Sequence, residues 1–206
     1  MVYITDVSPL RDKATFDKYF LACHEYRKNK IQNLSHEDDR IRSLGAEILI
    51  AYGMLDNEIS DYHISVSGAG KLYDANSGAC FNVSHSGVYA VSVFDECEVG
   101  IDIEIPRNVD LKLAERFFSP EEKAVIVANP SPEKDLLRIW TRKEALFKAY
   151  GIGITANLLA TNVLSDTVVV DGISFGISTK ETDDYIISVA RKGVPTPIIC
   201  ENIIIT

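Results

Sequence analysis

The sequence predicts an α+β fold built as two halves of similar size, and three observations carry that prediction. Amphipathic helical patterns and short β-branched runs alternate along all 206 residues. Pro106 interrupts the chain near its middle, directly after the apolar run Val99–Ile105, and sets a boundary between halves 1–105 and 106–206. Beyond Gly153 the chain is a series of β-rich runs, and Asp171-Gly172 is a hairpin signal between two of them.

In chain order, Val2–Val7 reads as a strand closed by Ser8-Pro9, followed by a helix over about Thr15–Lys28 with a cationic end at Arg27, Lys28 and Lys30. Ser35 reads as an N-cap before the acidic turn Glu37-Asp38, opening a helix to about Leu55 whose core side is Ile41, Leu44, Ile48 and Leu55. Gly45 inside that helix costs about 1 kcal/mol against alanine, which implies a close backbone contact. Ser67–Lys71 reads as a hairpin turn, since it lacks the spacing of a phosphate loop. Ala79–Gly87 runs from strand into polar turn, and Val88–Phe94 and Val99–Ile105 are further strands.

Leu111–Phe118 is a short helix, and Ser119-Pro-Glu-Glu122 is a capping box with proline at the first helical position. A helix then runs from near Pro132 to Gly151. Trp140, Glu144 and Lys148 align on one of its faces beside Lys143 and Phe147, with Ala145, Leu146 and Ala149 behind. The closing β runs are 162–170, 173–179, 185–191 and 198–205.

Composition narrows the function. Hydrophobic residues make up 46% and charged residues 25%, the balance of an ordinary globular protein. No apolar run reaches membrane-spanning length, and no signal peptide opens the chain, so a cytoplasmic protein without membrane association is expected. The four scattered cysteines form no C-x-x-C pair, which speaks against a zinc site. A net charge of −9 supplies no general surface for nucleic acid, although a small anionic ligand remains compatible with a local cluster of cations.

One pair of residues stands out chemically. Asp102 and Glu104, at i and i+2, share one face of a strand whose other face is Ile101, Ile103 and Ile105. Like charges this close repel unless water or a cation lies between them, and a hard divalent ion suits such oxygens.

Three motifs, Asn-Val-Ser-His-Ser-Gly at 82–87, Gly-Ile-Asp-Ile-Glu at 100–104 and W-x-x-K-E-A-x-x-K-A-x-G at 140–151, resemble those of the 4′-phosphopantetheinyl transferases of the long, surfactin-synthetase-activating type. The resemblance implies two similar halves related by a pseudo-two-fold axis, coenzyme A in the cleft between them, and a monomer. It implies transfer of the phosphopantetheine arm to a serine of an apo acyl or peptidyl carrier protein, with release of 3′,5′-ADP.

By the same resemblance Asp102, Glu104 and Glu144 hold Mg²⁺, Glu144 takes the serine proton directly or through a metal-bound water, and Lys148 contacts the pyrophosphate. Lys143 is a further phosphate contact. Ser84 and His85 match coenzyme A contacts; Arg27, Lys30 and Ser43, with Arg40 and Arg42 beside them, match a 3′-phosphate pocket; Lys71 matches a lysine beside the adenine. Leu72 stands where the family has proline. Glu122 matches a family acidic position that its capping role explains equally well. A basic patch of Arg107, Lys112, Arg116 and Lys123, with Leu113 and Phe117, is expected to dock an acidic carrier. The rival readings are a metal-dependent hydrolase of nucleotide pyrophosphates and a non-catalytic module binding coenzyme A or carrier.

Overall fold

A computed structural model describes residues 1–151 and 161–206. The first half comprises β1 (Val2–Asp6), a 3₁₀ turn, α1 (Lys13–Ala22), α2 (Glu25–Asn33), α3 (Glu37–Asp56), the small hairpin β2 (Ile64–Val66) and β3 (Leu72–Asp74), β4 (Cys80–Ser86) and β5 (Tyr89–Asp95). The second comprises β6 (Val99–Glu104), α4 (Leu113–Phe117), α5 (Pro120–Ala128), α6 (Pro132–Tyr150), β7 (Thr167–Val170), β8 (Ile173–Glu181), β9 (Ile186–Lys192) and β10 (Cys200–Asn202).

The two halves share a connectivity. In the first, strand β1 leads through helices to the hairpin β4–β5, and the sheet order is β10-β1-β5-β4. In the second, β6 leads through helices to the hairpin β8–β9, in the order β6-β9-β8-β7. In each half the opening strand pairs antiparallel with the last strand of the hairpin, and one long helix packs on the sheet. The equivalent strands also meet: Val2 and Ile4 of β1, Val91 and Val93 of β5, Val99, Ile101 and Ile103 of β6, and Ile187 of β9 bury a common apolar layer between the sheets. Separate cores lie under α3 and α6.

The sheets divide the chain differently from a boundary after Ile105. Val99–Glu104 is already an edge strand of the second sheet, and Cys200–Asn202 returns to pair parallel with β1 in the first. Hydrogen-bond partners, which local pattern does not reveal, decide both memberships.

Three local expectations are corrected. The helix expected over Thr15–Lys28 is two helices, because Cys23 and His24 are extended, with ψ of 154° and 147°. His36, not Ser35, is the N-cap of α3, and it makes no capping hydrogen bond with its side chain. Leu55 lies on the surface at 76% exposure, on the outward face of α3, where its neighbours Gly53 and Met54 occupy the core side of the last turn.

The capping box at Ser119 and Glu122 forms as read. The hairpin at Asp171-Gly172 also forms, with φ of 48° and 78° at the two turn residues, the left-handed values its tight turn requires.

α6 carries the site, and its ends follow from its sequence. Pro132 and the acids Glu133 and Asp135 occupy the first turn, Lys148 the last, and Gly151 closes it in the left-handed region, its N–H donating to the Phe147 carbonyl at 3.0 Å. α6 lies directly against β6. A Cβ placed on Gly100 would stand 2.2 Å from the Ala145 carbonyl oxygen and 2.3 Å from the Ala149 nitrogen, so helix and strand backbones meet there with no side chain between them.

Candidate active site

β4 and β6 are the facing edge strands of the two sheets, and side chains join them. Alternate residues of β4 point to β6: Asn82 Oδ1 accepts from the Ile101 N–H at 3.0 Å, Ser84 Oγ donates to Asp102 Oδ1 at 2.7 Å, and Ser86 Oγ donates to Glu104 Oε2 at 2.7 Å. The asparagine–serine–serine stripe therefore orients both carboxylates of the D-x-E motif. Sequence reasoning took Ser84 for a phosphate contact and missed this bracing role; the period-2 spacing of Asn82, Ser84 and Ser86 was the available signal.

Lys148 reaches across from α6. Its Nζ donates to Asp102 Oδ1 at 2.7 Å, to Ser84 Oγ at 3.1 Å and to the Ile101 carbonyl at 3.1 Å. Arg107 sits on the other carboxylate, Nη2 to Glu104 Oε1 at 3.0 Å. Glu144, one turn before Lys148, makes no hydrogen bond or ion pair among the described residues. Burial first, then the charges of Asp102 and Glu104, raise its pKa above the ordinary carboxylate value, against the lowering pull of Lys148.

These three carboxylates are hard oxygen donors of the kind Mg²⁺ prefers, and their mutual repulsion favours a divalent ion. In the arrangement seen here the protein's own cations hold Asp102 and Glu104, and among the described residues no three acidic, histidine or cysteine side chains converge closely enough to bind one ion. The donor chemistry fits a metal. The side-chain positions are those of a site balanced by lysine and arginine.

Beside Glu144 and Lys148 opens a cavity of about 350 Å³ between the halves. Arg27 and Lys30 line it from α2, Gly70 and Lys71 from the small hairpin, Ser84 and His85 from β4, and Glu144, Phe147, Lys148 and Gly151 from α6. Four cations thus face one hollow in a protein of net charge −9. Burial and the neighbouring Arg27 lower the Lys30 pKa. His85, though reachable from solvent, is pushed down to about 4 by desolvation in the hollow and by Arg42, Lys148 and Lys30, so it is neutral at pH 7. Lys71 donates to Glu98 at 3.3 Å and to the Val99 carbonyl at 3.2 Å.

Some expected residues fall elsewhere. Ser43 lies behind Arg27, 3% exposed, and accepts from its Nη1 at 3.3 Å without lining the cavity. Arg40 donates to the Leu34 carbonyl, and Arg42 to Asp39 and the Gly87 carbonyl. Lys143, expected as a phosphate contact, does not line the cavity. Fully buried, it pairs with Glu122 at 3.0 Å and donates to the Thr161 carbonyl at 2.6 Å, on the side of α6 turned away from the cavity. Glu122 in turn accepts from the Ser119 and Val163 N–H groups. It caps α5 and anchors α6 at once.

In the patch expected to dock a carrier, Lys112 and Arg116 are exposed, with Leu113 at 42% and Leu111 beside it at 40%. Arg116 lies over the Phe117 ring at 5.0 Å, Lys123 pairs with Glu115, and Arg107 is taken by Glu104.

Known proteins resemble the chain over the stretch that holds these residues. Residues 98–190 match the family model of the 4′-phosphopantetheinyl transferase superfamily. The chain is 31% identical over 144 residues to the 4′-phosphopantetheinyl transferase Sfp of Bacillus subtilis strain 168, spanning 64% of this chain and 62% of that one. It is 32% identical over 151 residues to another 4′-phosphopantetheinyl transferase of Bacillus subtilis, spanning 69% and 66%. With the transferase psf-1 of Bacillus pumilus it shares 41% over 80 residues, 38% of this chain and 34% of the relative. The chain thus spans between about a third and two thirds of the length of these relatives. Taken with the D-x-E strand packed against the W-x-x-K-E-A-x-x-K helix inside the matched residues, these likenesses make the chain a member of the 4′-phosphopantetheinyl transferase superfamily.

Proposed function

We propose that this protein transfers the 4′-phosphopantetheine arm of coenzyme A to a serine of an acyl or peptidyl carrier protein. The observation that carries the reading is the four-cation hollow whose floor ends at Glu144 and the Lys148–Asp102 pair. An elongated polyphosphate ligand needs such a row of cations, and in-line phosphoryl transfer needs positioning and charge neutralisation more than covalent help.

In the proposed reaction the serine oxygen forms a bond to the β-phosphorus, the bond from that phosphorus to the bridging pyrophosphate oxygen breaks, and 3′,5′-ADP leaves. Glu144, its pKa raised and its carboxylate uncommitted, would take the serine proton directly or through a water. Lys148 would meet the pyrophosphate, whose charge would compete with Asp102 for its ammonium. Arg27, Lys30, Lys71 and His85 would hold the nucleotide end. Asp102, Glu104 and Glu144 would hold Mg²⁺, which when bound supplies charge neutralisation to the pyrophosphate. Lys112 and Arg116, flanked by Leu111 and Leu113, form a docking surface suited to an acidic carrier.

Both walls of the hollow come from one chain, which supports action as a monomer. No helix among the described residues is long and apolar enough to cross a membrane.

The test incubates the protein with coenzyme A, Mg²⁺ and several apo carrier proteins and weighs the carriers intact. A gain of one phosphopantetheine on at least one carrier is expected, abolished by EDTA and by Glu144→Gln. No gain on any carrier would overturn the reading, and coenzyme A cleaved without an acceptor would mark a hydrolase instead.

A further inference from the structure

Arg27 is held in an unusual way. It is a buried arginine, 2% exposed, on the wall of the cationic hollow. Its Nε donates to Glu47 Oε2 at 2.9 Å and its Nη1 to Ser43 Oγ at 3.3 Å. Its Nη2 is buried with no hydrogen-bond partner. A buried guanidinium nitrogen left unpaired is costly, and an acceptor arriving from the hollow would relieve that cost.

Glu47 is itself buried, at 4% exposure, and is engaged on both oxygens. Oε2 takes Arg27, and Oε1 lies 2.8 Å from His24 Nδ1. His24 belongs to the extended break between α1 and α2, its ring edge-on to Tyr62 at 5.0 Å. It opens onto a different cavity, of about 630 Å³, which Glu47 also lines. Glu47 therefore links a residue of each cavity, gripped by His24 through one oxygen and gripping Arg27 through the other.

We infer that Glu47 is a positioning residue for anion recognition: braced by His24, it fixes the Arg27 guanidinium so that the unpaired Nη2 is left to select a phosphate in the hollow. This rests on the coenzyme A reading, in which that phosphate is the 3′-phosphate of the nucleotide. Position and charge act in opposite directions here. A carboxylate beside an anion site repels the anion, so its presence is a liability unless it sets the geometry of the arginine. Glutamate has the length to span His24 and Arg27 together; aspartate, one methylene shorter, does not.

The experiment titrates adenosine 3′,5′-bisphosphate and adenosine 5′-monophosphate into the protein by calorimetry, with no carrier and no turnover. The unsubstituted chain is expected to prefer the bisphosphate. Glu47→Asp keeps the charge and loses the reach, and should cut that preference roughly ten-fold by releasing the fork geometry of Arg27. Glu47→Gln keeps the reach and loses the charge, and should retain the preference or increase it. His24→Ala should show a smaller loss of the same sign as Glu47→Asp.

A Glu47→Asp protein with full preference would overturn the inference. Loss in both Glu47 variants alike would overturn it too, since charge or folding would then explain the result. An unchanged His24→Ala protein would remove the brace. If the unsubstituted chain binds neither nucleotide, the coenzyme A reading fails instead, and the two failures are distinct. Circular dichroism of each variant confirms that the compared chains are folded.

Discussion

Two lysines five positions apart on α6 each pair with a carboxylate, and the contrast between the pairs separates scaffold from chemistry. Lys143 and Glu122 are both 0% exposed at 3.0 Å, and the glutamate also accepts two backbone N–H groups. Lys148 and Asp102 are closer, at 2.7 Å, yet the lysine side chain is 28% exposed and faces the hollow. The first pair is sealed, and breaking it leaves an uncompensated charge in the core. The second can exchange its partner for an incoming anion. Distance does not distinguish them; access does.

That contrast can be broken from either side. The largest effect on activity is expected from Lys148→Ala, which should lower kcat/KM for coenzyme A by about 10²-fold or more while leaving the melting temperature within a few degrees. A comparable loss of activity in Lys143→Ala, at unchanged stability, would contradict the assignment of the sealed pair. Lys143→Ala should instead destabilise the fold by about 3–5 kcal/mol in denaturant unfolding, because Glu122 is left buried and unpaired. Lys143→Met combined with Glu122→Leu should recover much of that loss, limited by the caps that Glu122 supplies to Ser119 and Val163.

A third variant acts between the pairs. Gly100→Ala forces a methyl group against the backbone of α6 and should cost about 1–3 kcal/mol. It should also slow transfer more than it weakens nucleotide binding, as separate kcat and KM values would reveal, because Asp102 and Glu144 are moved apart while the α2 cations stay in place. Equal changes in the two parameters would show that the strand–helix contact does not set the site.

The smallest effect concerns His85. Its folded pKa of about 4 lies below the ordinary value of 6.5. Between those values the unfolded chain holds the proton and the folded chain does not, so the contribution of His85 to stability is complete above about pH 6.5 and falls as the pH drops toward 4. His85→Asn should flatten that part of the stability–pH curve. Saturating polyanionic nucleotide should favour the protonated ring, raise its folded pKa toward 6.5 and so make the fall smaller.

What the sequence disclosed follows the range of the forces involved. The α6 boundaries, the capping box at Ser119 and the turn at Asp171-Gly172 depend on neighbouring residues, and all three were legible. So was the close approach at Gly45, where an added Cβ would meet Val7 at 2.3 Å. The role of Lys143 was not legible, because its partner Glu122 is on another helix and both sit at helical positions compatible with a surface face. The break at Cys23-His24 was hidden for a related reason: no proline or glycine marks it, and tertiary contacts of His24 with Glu47 and Tyr62 hold it open. Glu47 lies off the stripe of Ile41, Leu44 and Ile48, which is where a buried charge on a helix is hardest to tell from a solvated one.

The bare contact at Gly100 has a consequence for how the site can be adjusted. Elements separated by side chains can be respaced by trading one side chain for another, a methylene at a time. Here the spacing is already at its floor, because two backbones touch. Reactivity at Glu144 and Lys148 is therefore tunable only at the tips of side chains, and the separation of the strand from the helix acts as a fixed gauge against which those tips are measured.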